Sequence, residues 1–425
     1  MIKVINIENA AKEDILTRDI KLESGVESIV ADIIKNVREN GDKALKEYAL
    51  KFDGAEIENL RVTAEEIDAA YESEDKALIE TIELAKKNIT EFHKKQLRSG
   101  FEINEGNGIV AGQKVTPIEK VGIYVPGGTA SYPSTVLMNA IPAKIAGVSE
   151  IIMVTPPDKN GNIPSAILCA AKIAGVDTII KTGGAQAVAA LAYGTESVPK
   201  ADKIVGPGNV FVATAKRMLY GLVDIDMIAG PSEILVLADG TCNPRFVAAD
   251  LLSQAEHDKL ASAVLVTTSE ELAYAVRDEI EAQLKTLPRE EIARTSIDTN
   301  GKIIIAKDIE QGIEIANVIA PEHLEICVDE PFALLDKIKN AGSIFLGKNT
   351  PEALGDYLAG TNHTLPTSGT ARFSSALSVE DFIKTSQYIC YTEEALGKVK
   401  DNIVLFANRE GLQAHGRSAA IRFEK

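Results

Sequence analysis

The sequence predicts an α/β protein in which helices alternate with the strands of two parallel-sheet blocks. A ten-residue pattern that begins at Ala143 returns 28 residues later at Ala171, which is about the length of one strand–helix unit. Both copies end in an Ile-Ile pair, as expected for strands that are buried on both faces. Glycine-rich turns follow several predicted strands and open helices, which is typical of doubly wound sheets.

The first hundred residues are predicted to be mostly helical. Apolar residues recur at helical spacing over residues 26–37, and Gly41 is interpreted as the cap that ends this helix. Thr63 and Glu66 form a capping-box pattern that opens a second helix. His93 lies in a charged run, so we expect its side chain to be solvated and assign it no role.

At segment 101–114 the predicted structure changes from helices to strands. Its glycines alternate with β-branched residues and predict a strand pair, with a domain boundary near residue 115. Beyond it, short apolar strands lead into the turns Pro126-Gly127-Gly128, Gly183-Gly184-Ala185-Gln186 and Gly206-Pro207-Gly208-Asn209. Such turns present backbone N–H groups at the carboxyl ends of strands and favour a phosphate or dinucleotide. The usual G-x-G-x-x-G fingerprint is absent, and each turn alone is equally explained by helix capping or close packing.

The stretch 250–258, in the second α/β block, concentrates groups that bind metals or move protons. Apolar residues at helical spacing precede it, so Gln254 and His257 are expected on one face of a helix end, where both can bind a metal. The alternative is structural: Gln254 caps a neighbouring group, and His257 interacts favourably with the helix C-terminus.

Glu322 and His323 stand at the start of a predicted strand. A carboxylate beside an imidazole at a strand end suits general acid–base chemistry, although a surface pair would give the same pattern. Cys327 is expected on the same strand face but is interpreted as part of the core, so a thiol-based mechanism is not favoured.

Asp356 and His415 are candidates to complete a metal site with Gln254 and His257. Two imidazoles with oxygen donors suit zinc or a harder transition metal. His363 lies in a Gly-, Ser- and Thr-rich loop and is the main competitor for a ligand position, although a hydrogen-bonding role in the loop is expected for it.

Composition limits the classes of partner. The formal charge of −17 and the pI near 4.9 argue against binding to nucleic acid or to an anionic membrane surface, and favour a small-molecule partner. No stretch reaches the ~20 apolar residues of a membrane helix, and the widely spaced four cysteines fit a reducing compartment. A soluble, cytoplasmic protein is therefore expected.

The sequence resembles the histidinol dehydrogenase family over essentially its whole length. The most specific similarity covers Ile225-Asp226-Met227-Ile228-Ala229-Gly230-Pro231-Ser232-Glu233 and Ala249-Asp250-Leu251-Leu252-Ser253-Gln254-Ala255-Glu256-His257. Further similar segments are Tyr124-Val125-Pro126-Gly127-Gly128, Gly206-Pro207-Gly208-Asn209, Ala320-Pro321-Glu322-His323 and Gly360-Thr361-Asn362-His363-Thr364-Leu365-Pro366-Thr367.

This resemblance implies two incomplete Rossmann-like parallel-sheet domains with a helical N-terminal arm and a helical C-terminal tail, in an intertwined homodimer. The implied parts are an arm at 1–20, a first α/β domain formed by 21–115 and 236–375, a nucleotide-binding α/β domain at 116–235 and a dimerisation tail at 376–425. The N-terminal helices are expected to pack beside the block that follows residue 235.

The implied reaction is the oxidation of L-histidinol to L-histidine through L-histidinaldehyde, with two successive hydride transfers to NAD and one Zn²⁺ per active site. The zinc ligands implied by the resemblance are Gln254, His257, Asp356 and His415, the catalytic pair is Glu322 and His323, and the NAD contacts are Tyr124, Gln186 and Asn209. The implied substrate contacts are Ser232, Gln254, His257, His323, Asp356, Glu410 and His415, of which Glu410 and His415 come from the partner chain.

Two other functions remain as alternatives to this reading. A metallohydrolase would use the same metal with Glu322 as its base and would need no nicotinamide. A metal-stabilised binding protein would bind a ligand without forming a product.

Overall fold

The structure, a computed structural model, describes residues 1–9, 25–127 and 131–424. Most of the expected arm at 1–20 and Gly128 of the first glycine turn lie outside the described residues. The chain divides into two units, the larger comprising Met1–Gln96 with Glu119–Phe382 and the smaller comprising Leu97–Ile118 with Ile383–Lys425. Among the described residues, no helix is long and apolar enough to cross a membrane.

The strands are β1 (Lys3–Asn6), β2 (Phe101–Asn104), β3 (Ile109–Pro117), β4 (Lys120–Tyr124), β5 (Glu150–Thr155), β6 (Thr178–Lys181), β7 (Lys203–Val205), β8 (Asp224–Ile225), β9 (Glu233–Ala238), β10 (Ser262–Thr267), β11 (Lys302–Ile305), β12 (His323–Cys327), β13 (Ser343–Leu346) and β14 (Ile383–Tyr391). The helices are α1 (Val26–Tyr48), α2 (Ala64–Ser73), α3 (Lys76–His93), α4 (Pro133–Ala146), α5 (Ser165–Ala174), α6 (Gly184–Tyr193), α7 (Val210–Leu219), α8 (Pro244–Ala255), α9 (Glu270–Leu284), α10 (Glu290–Thr299), α11 (Ile309–Ile319), α12 (Phe332–Leu335), α13 (Glu352–Tyr357), α14 (Glu393–Arg409) and α15 (Gln413–Ala420).

The first sheet of the larger unit is parallel and has the order β6-β5-β4-β7-β8. The repeat at Ala143 and Ala171 is confirmed as two helix–strand units, α4 with β5 and α5 with β6, on neighbouring strands. From β4 the chain adds strands first on one side and then, with β7, on the other. The order therefore reverses between β4 and β7, which is where open α/β sheets bind ligands at the carboxyl ends of their strands.

The second sheet is also parallel and has the order β1-β11-β10-β9-β12-β13. Its central strands are buried on both faces under two separate apolar clusters, which explains their continuous apolar sequences. Strand β9 spans Glu233–Ala238 and so crosses the expected domain limit between residues 235 and 236. The four-part division of the chain otherwise stays a prediction.

The N-terminal helices agree with expectation in one respect and differ in another. The regular helix that begins at Val26 is interrupted at Gly41, as expected, because Gly41 takes a non-helical conformation (φ 49°, ψ −130°), and a second helical segment then continues α1 to Tyr48. Its apolar face, including Val30 and Leu45, packs in the core of the five-stranded sheet rather than beside the block after residue 235. The capping box of Thr63 with Glu66 is confirmed at the start of α2.

The smaller unit contains an antiparallel sheet of order β14-β3-β2, followed in sequence by α14 and α15. The predicted strand pair at 101–114 is confirmed as β2 and β3. Several large apolar side chains of this unit are exposed, among them Ile389 and Phe406 at 76% and 72%.

Candidate active site

Glu322 and His323 lie at the entrance of β12, which pairs with β9 on one side and β13 on the other. Both side chains are buried. The main chain of Glu233, at the start of β9, holds them: its N–H donates to Glu322 Oε2 at 2.8 Å, and its carbonyl oxygen lies 3.0 Å from His323 Nδ1. The expected acid–base pair is therefore a buried pair held by a neighbouring strand rather than a surface pair.

Three side chains near His323 form a group able to hold a metal ion. His257, Glu352 and Asp356 each offer one ligand atom, and these atoms lie within 4.8 Å of one another. Glu352 and Asp356 are one turn apart on α13, so their carboxylates project from the same helix face. Ser253 of α8 donates to Glu352 Oε2 at 2.7 Å and orients that carboxylate.

Gln254 supplies a further polar group at this place, and its side chain is almost completely buried. Its amide oxygen faces Glu352 Oε1, and its amide nitrogen faces the N–H of Glu233 and Nδ1 of His323. If the amide oxygen and nitrogen exchanged positions, the nitrogen would donate a hydrogen bond of 3.0 Å to Glu352 Oε1. A cation between the two oxygens would instead stabilise the unrotated amide, because it attracts both acceptors.

His323 Nε2 is buried and has no hydrogen-bond partner among the described residues. It lies 3.9 Å from Glu352 Oε1 and 3.8 Å from Asp356 Oδ1. Burial lowers the pKa of His323, but the carboxylates of Glu322, Asp356 and Glu352 outweigh this effect and raise the pKa. Burial raises the pKa of Glu322, which brings this carboxyl closer to the range of a general base at neutral pH.

Three of the remaining groups have protonation states that suit a metal, whereas burial raises the pKa of the fourth, Glu352, to about 7. Burial lowers the pKa values of both His363 and His257, so both imidazoles are neutral at pH 7. Burial raises the pKa of Asp356, but the neighbouring imidazoles of His323 and His363 outweigh this and lower the pKa to about 2. Neutral imidazoles and ionised carboxylates are the forms that bind zinc. The donor set thus fits a zinc ion, with oxygen and nitrogen ligands.

Two histidines differ from the sequence-based expectation. Helix α8 ends at Ala255, so His257 lies in the turn after the helix and not on its face, while Gln254 remains on the last helical turn. His93 is completely buried, with Nδ1 at 2.8 Å from the carbonyl oxygen of Ile89. The expectation of a solvated His93 was wrong because His93 shares the buried face of α3 with Ile89, whereas the charged residues of the run are exposed.

His363, which competes for a ligand position, lies near the group formed by His257, Glu352 and Asp356 but is not one of its three members. Its Nδ1 lies 4.0 Å from Asp356 Oδ1, and its Nε2 lies 3.4 Å from the Thr135 hydroxyl. Cys327 is buried as expected, and contact with Cys242 together with burial raises its pKa, which disfavours a reactive thiolate.

Sequence reasoning missed two buried carboxyl groups at this place. Glu352 is the more important one, since it contacts Ser253 and approaches both Gln254 and His323. The sequence feature that could have revealed Glu352 is its spacing of four residues from Asp356, which places both carboxylates on one helix face. Glu325, two residues beyond His323 on β12, accepts the N–H of Glu352 at 2.8 Å and so anchors the first turn of α13.

The residues expected to contact a dinucleotide converge at the switch point of the five-stranded sheet. Tyr124 ends β4, and its hydroxyl accepts the N–H of Gly184 at 2.9 Å, two residues before Gln186. Asn209 is exposed and caps α7 by accepting the N–H groups of Phe211 and Val212. Tyr124 and Asn209 thus follow the neighbouring strands β4 and β7 at the switch point, whereas Gln186 lies on the helix after β6, which β5 separates from β4.

The other expected site residues lie on three further segments of the chain. Ser232 precedes β9, and its carbonyl oxygen accepts the N–H of Ser262. Glu410 and His415 are exposed residues of the smaller unit, at the end of α14 and in α15.

A doubly wound parallel sheet with a glycine turn at its switch point, together with a buried imidazole–carboxylate pair beside metal-binding groups, defines an α/β oxidoreductase. Comparison with known proteins gives the particular family. A family model described as histidinol dehydrogenase matches residues 16–423. This chain therefore belongs to the histidinol dehydrogenase family, whose members oxidise histidinol in histidine biosynthesis.

Individual relatives agree with this assignment. The chain is 58% identical to the histidinol dehydrogenase of Bacillus cereus over 404 residues, which cover 95% of this chain and 94% of that one. It is 59% identical to the histidinol dehydrogenase of Clostridium acetobutylicum, with coverage of 92% and 91%. The crystal structure of histidinol dehydrogenase from Elizabethkingia anophelis superposes with a TM-score of 0.94 at 40% identity and covers 99% of this chain and 98% of that chain.

Proposed function

We propose that this protein oxidises L-histidinol to L-histidine through L-histidinaldehyde and transfers one hydride to NAD in each of two steps. One observation carries the chemistry: the buried pair Glu322 and His323 stands beside the group formed by His257, Glu352 and Asp356. A proton acceptor and the ligands that orient a substrate are thus available at the same place.

His323 is assigned the proton transfers of the first oxidation. The Glu233 carbonyl oxygen can only accept a hydrogen bond, so it holds the proton of the neutral imidazole on Nδ1. The lone pair of the neutral ring is then on Nε2, which faces the carboxylates of α13. Those carboxylates raise the pKa of His323, and a cation bound to them would offset this effect and favour the neutral ring. In the first step Nε2 removes the hydroxyl proton of the alcohol while the carbinol hydride leaves for NAD, which yields the aldehyde, NADH and one proton.

Glu322 is assigned the water that the second oxidation consumes. Glu322 takes a proton from the attacking water, and His323, protonated in the first step, returns its proton to the carbonyl oxygen, which gives the hydrate. The hydrate then loses a hydride to NAD and a hydroxyl proton to the neutral His323, which gives the acid. Glu322 is held by the N–H of Glu233 and is next to His323, so it can position the water and accept its proton.

Zinc, when bound, supplies a positive charge that orients the imidazole and amine of histidinol. We propose Gln254, His257 and Asp356 as its ligands in one chain, with His415 from the partner chain as the fourth. Ser232 and Glu410 are proposed to contact the substrate, the latter also across the interface. NAD is proposed to lie along the switch point of the five-stranded sheet, in contact with Tyr124, Gln186 and Asn209.

The partner chain in this proposal is a second copy of the same protein. The exposed apolar side chains of the smaller unit support it, because a homodimer would remove Ile389 and Phe406 from water. All four cysteines are unpaired, which fits the cytoplasm as the place of action.

The test is a stoichiometric assay. Protein loaded with zinc is mixed with NAD and histidinol, and absorbance of NADH is compared with histidine formed. Two NADH per histidine are expected. Turnover without NAD would favour the metallohydrolase, and binding of histidinol without NADH formation by folded, zinc-loaded protein would favour the non-catalytic binding protein.

A further inference from the structure

An ion pair of Lys216 and Asp226 is buried beneath the glycine turn that precedes α7. The two side chains are only 2% and 1% exposed. Lys216, on α7, donates to the Asp226 carboxylate and to the main-chain carbonyl oxygen of Gly206 at 3.0 Å. Asp226, which follows β8, accepts the N–H of Gly206 at 2.7 Å on its other oxygen. The pair therefore holds both main-chain polar groups of one glycine.

Gly206 occupies a position that only this residue type suits. Its φ of 109° lies in the left-handed region, and a Cβ added there would overlap the carbonyl oxygen of Tyr124. The turn from Gly206 leads directly to Asn209, the N-cap of α7. Its conformation therefore determines how Tyr124 and Asn209, both assigned to the dinucleotide, lie relative to each other.

Burying an ion pair costs desolvation energy, and apolar residues of the same size often stabilise a protein as much. Its two charges do, however, form hydrogen bonds of fixed direction with the main chain. Asp226 also begins the connection to the second sheet: its Oδ1 accepts the N–H of Met227 at 2.6 Å. Further along, Gly230 N–H donates to Thr367 Oγ1 at 2.6 Å, and the connection ends at Glu233, which holds Glu322 and His323.

We propose that Lys216 and Asp226 are positioning residues for the dinucleotide, which hold the Gly206 turn in the conformation that binds it. The inference rests on the proposed function, because it assigns the turn to NAD. Neither side chain touches the dinucleotide, and both act through the main chain of Gly206 and the cap at Asn209.

The test compares zinc-loaded wild-type protein with the double variant Lys216→Met and Asp226→Asn. This variant keeps the volume and leaves no unpaired buried charge. The amide introduced at position 226 is expected to retain the bond to Gly206 N–H, while the bond to the Gly206 carbonyl oxygen is lost. Titration calorimetry with NAD should show a dissociation constant about ten-fold higher, in keeping with the loss of a charged hydrogen bond. The KM for NAD should rise similarly, and the KM for histidinol should not change.

A matched control is Lys203→Met. Lys203 is another buried lysine, 3.0 Å from Asp224 and 3.8 Å from Asp381, but it stands at the start of β7, away from the turn. This variant should lose a comparable amount of thermal stability with unchanged affinity for NAD. Equal weakening in both variants would show a general loss of stability and overturn the inference.

The outcomes also separate the inference from the proposed function. If the wild-type protein binds NAD and the double variant binds it equally well, the positioning role is wrong and the dinucleotide site stands. If the wild-type protein binds no NAD, both are wrong.

Discussion

His323 Nδ1 lies 3.0 Å from the main-chain carbonyl oxygen of Glu233. This contact determines the tautomer of the neutral imidazole and leaves Nε2 as the basic atom. Because Glu233 also holds Glu322 through its N–H, one residue at the start of β9 orients both members of the pair.

Replacing His323 by Asn should lower kcat by about 10²- to 10⁴-fold, because the proton acceptor is lost. The measurement is steady-state NADH formation at saturating NAD and histidinol, with zinc content determined on the same sample. His93→Asn is the control, since this buried histidine contacts only structural groups. It should lower the melting temperature without abolishing turnover. A His323→Asn variant with zinc and near-normal kcat would contradict the assignment.

Glu322→Gln should slow the second oxidation more than the first, because only the second consumes water. Gln keeps an oxygen that can accept the Glu233 N–H but cannot take up a proton near neutral pH. The aldehyde should therefore accumulate, and trapping it with a hydrazine during single-turnover experiments measures it. Equal slowing of the two steps would show that Glu322 has no separate role in activating water.

Glu352→Gln should weaken zinc binding about 10- to 100-fold, as removal of supporting groups at metal sites commonly does. The carboxylate adds negative charge next to Asp356 and faces the amide of Gln254. Competition with a chromophoric chelator measures the affinity directly. Ser253→Ala removes only the hydroxyl that orients Glu352 and should have a smaller effect. Unchanged zinc affinity in Glu352→Gln would limit this residue to a structural role.

Sharing of sites between chains predicts complementation. A His415→Ala chain mixed with a Gln254→Ala chain should regain activity in heterodimers, because one of the two sites then has all its ligands. Each variant alone should be inactive. The measurement needs differently tagged chains that are refolded together and purified by both tags. Verified heterodimers without activity would place His415 outside the site.

Asp53→Asn should raise stability at neutral pH by on the order of 1 kcal/mol. Burial raises the pKa of Asp53 from 3.8 to about 6, and its Oδ2 has no hydrogen-bond partner among the described residues. The ionised form is thus disfavoured in the folded protein, so this residue lowers stability as pH rises from about 4 to about 6. The melting temperature of the variant should exceed that of wild type at pH 7, and the difference should shrink near pH 4. A constant difference would point to another cause.

The sequence by itself determined the local elements and the chemical types of the site. Repeated Ile-Ile pairs predicted buried parallel strands, because only a strand covered on both faces can be apolar at consecutive positions. Thr63 and Glu66 predicted a helix start because their hydrogen bonds form within one turn. Gln254, His257, Glu322 and His323 were candidates from their side chains and spacing, and the family resemblance gave them their expected roles.

Only the tertiary structure decided which of these groups meet. Glu352 was missed and His93 was interpreted as solvated because burial depends on what packs against a helix face, which spacing does not specify. The packing of α1 against the five-stranded sheet likewise depends on complementary apolar surfaces far apart in sequence. The main chain of Glu233 contacts both Glu322 and His323 because of the strand register between β9 and β12. This register is a long-range pairing that no local pattern encodes.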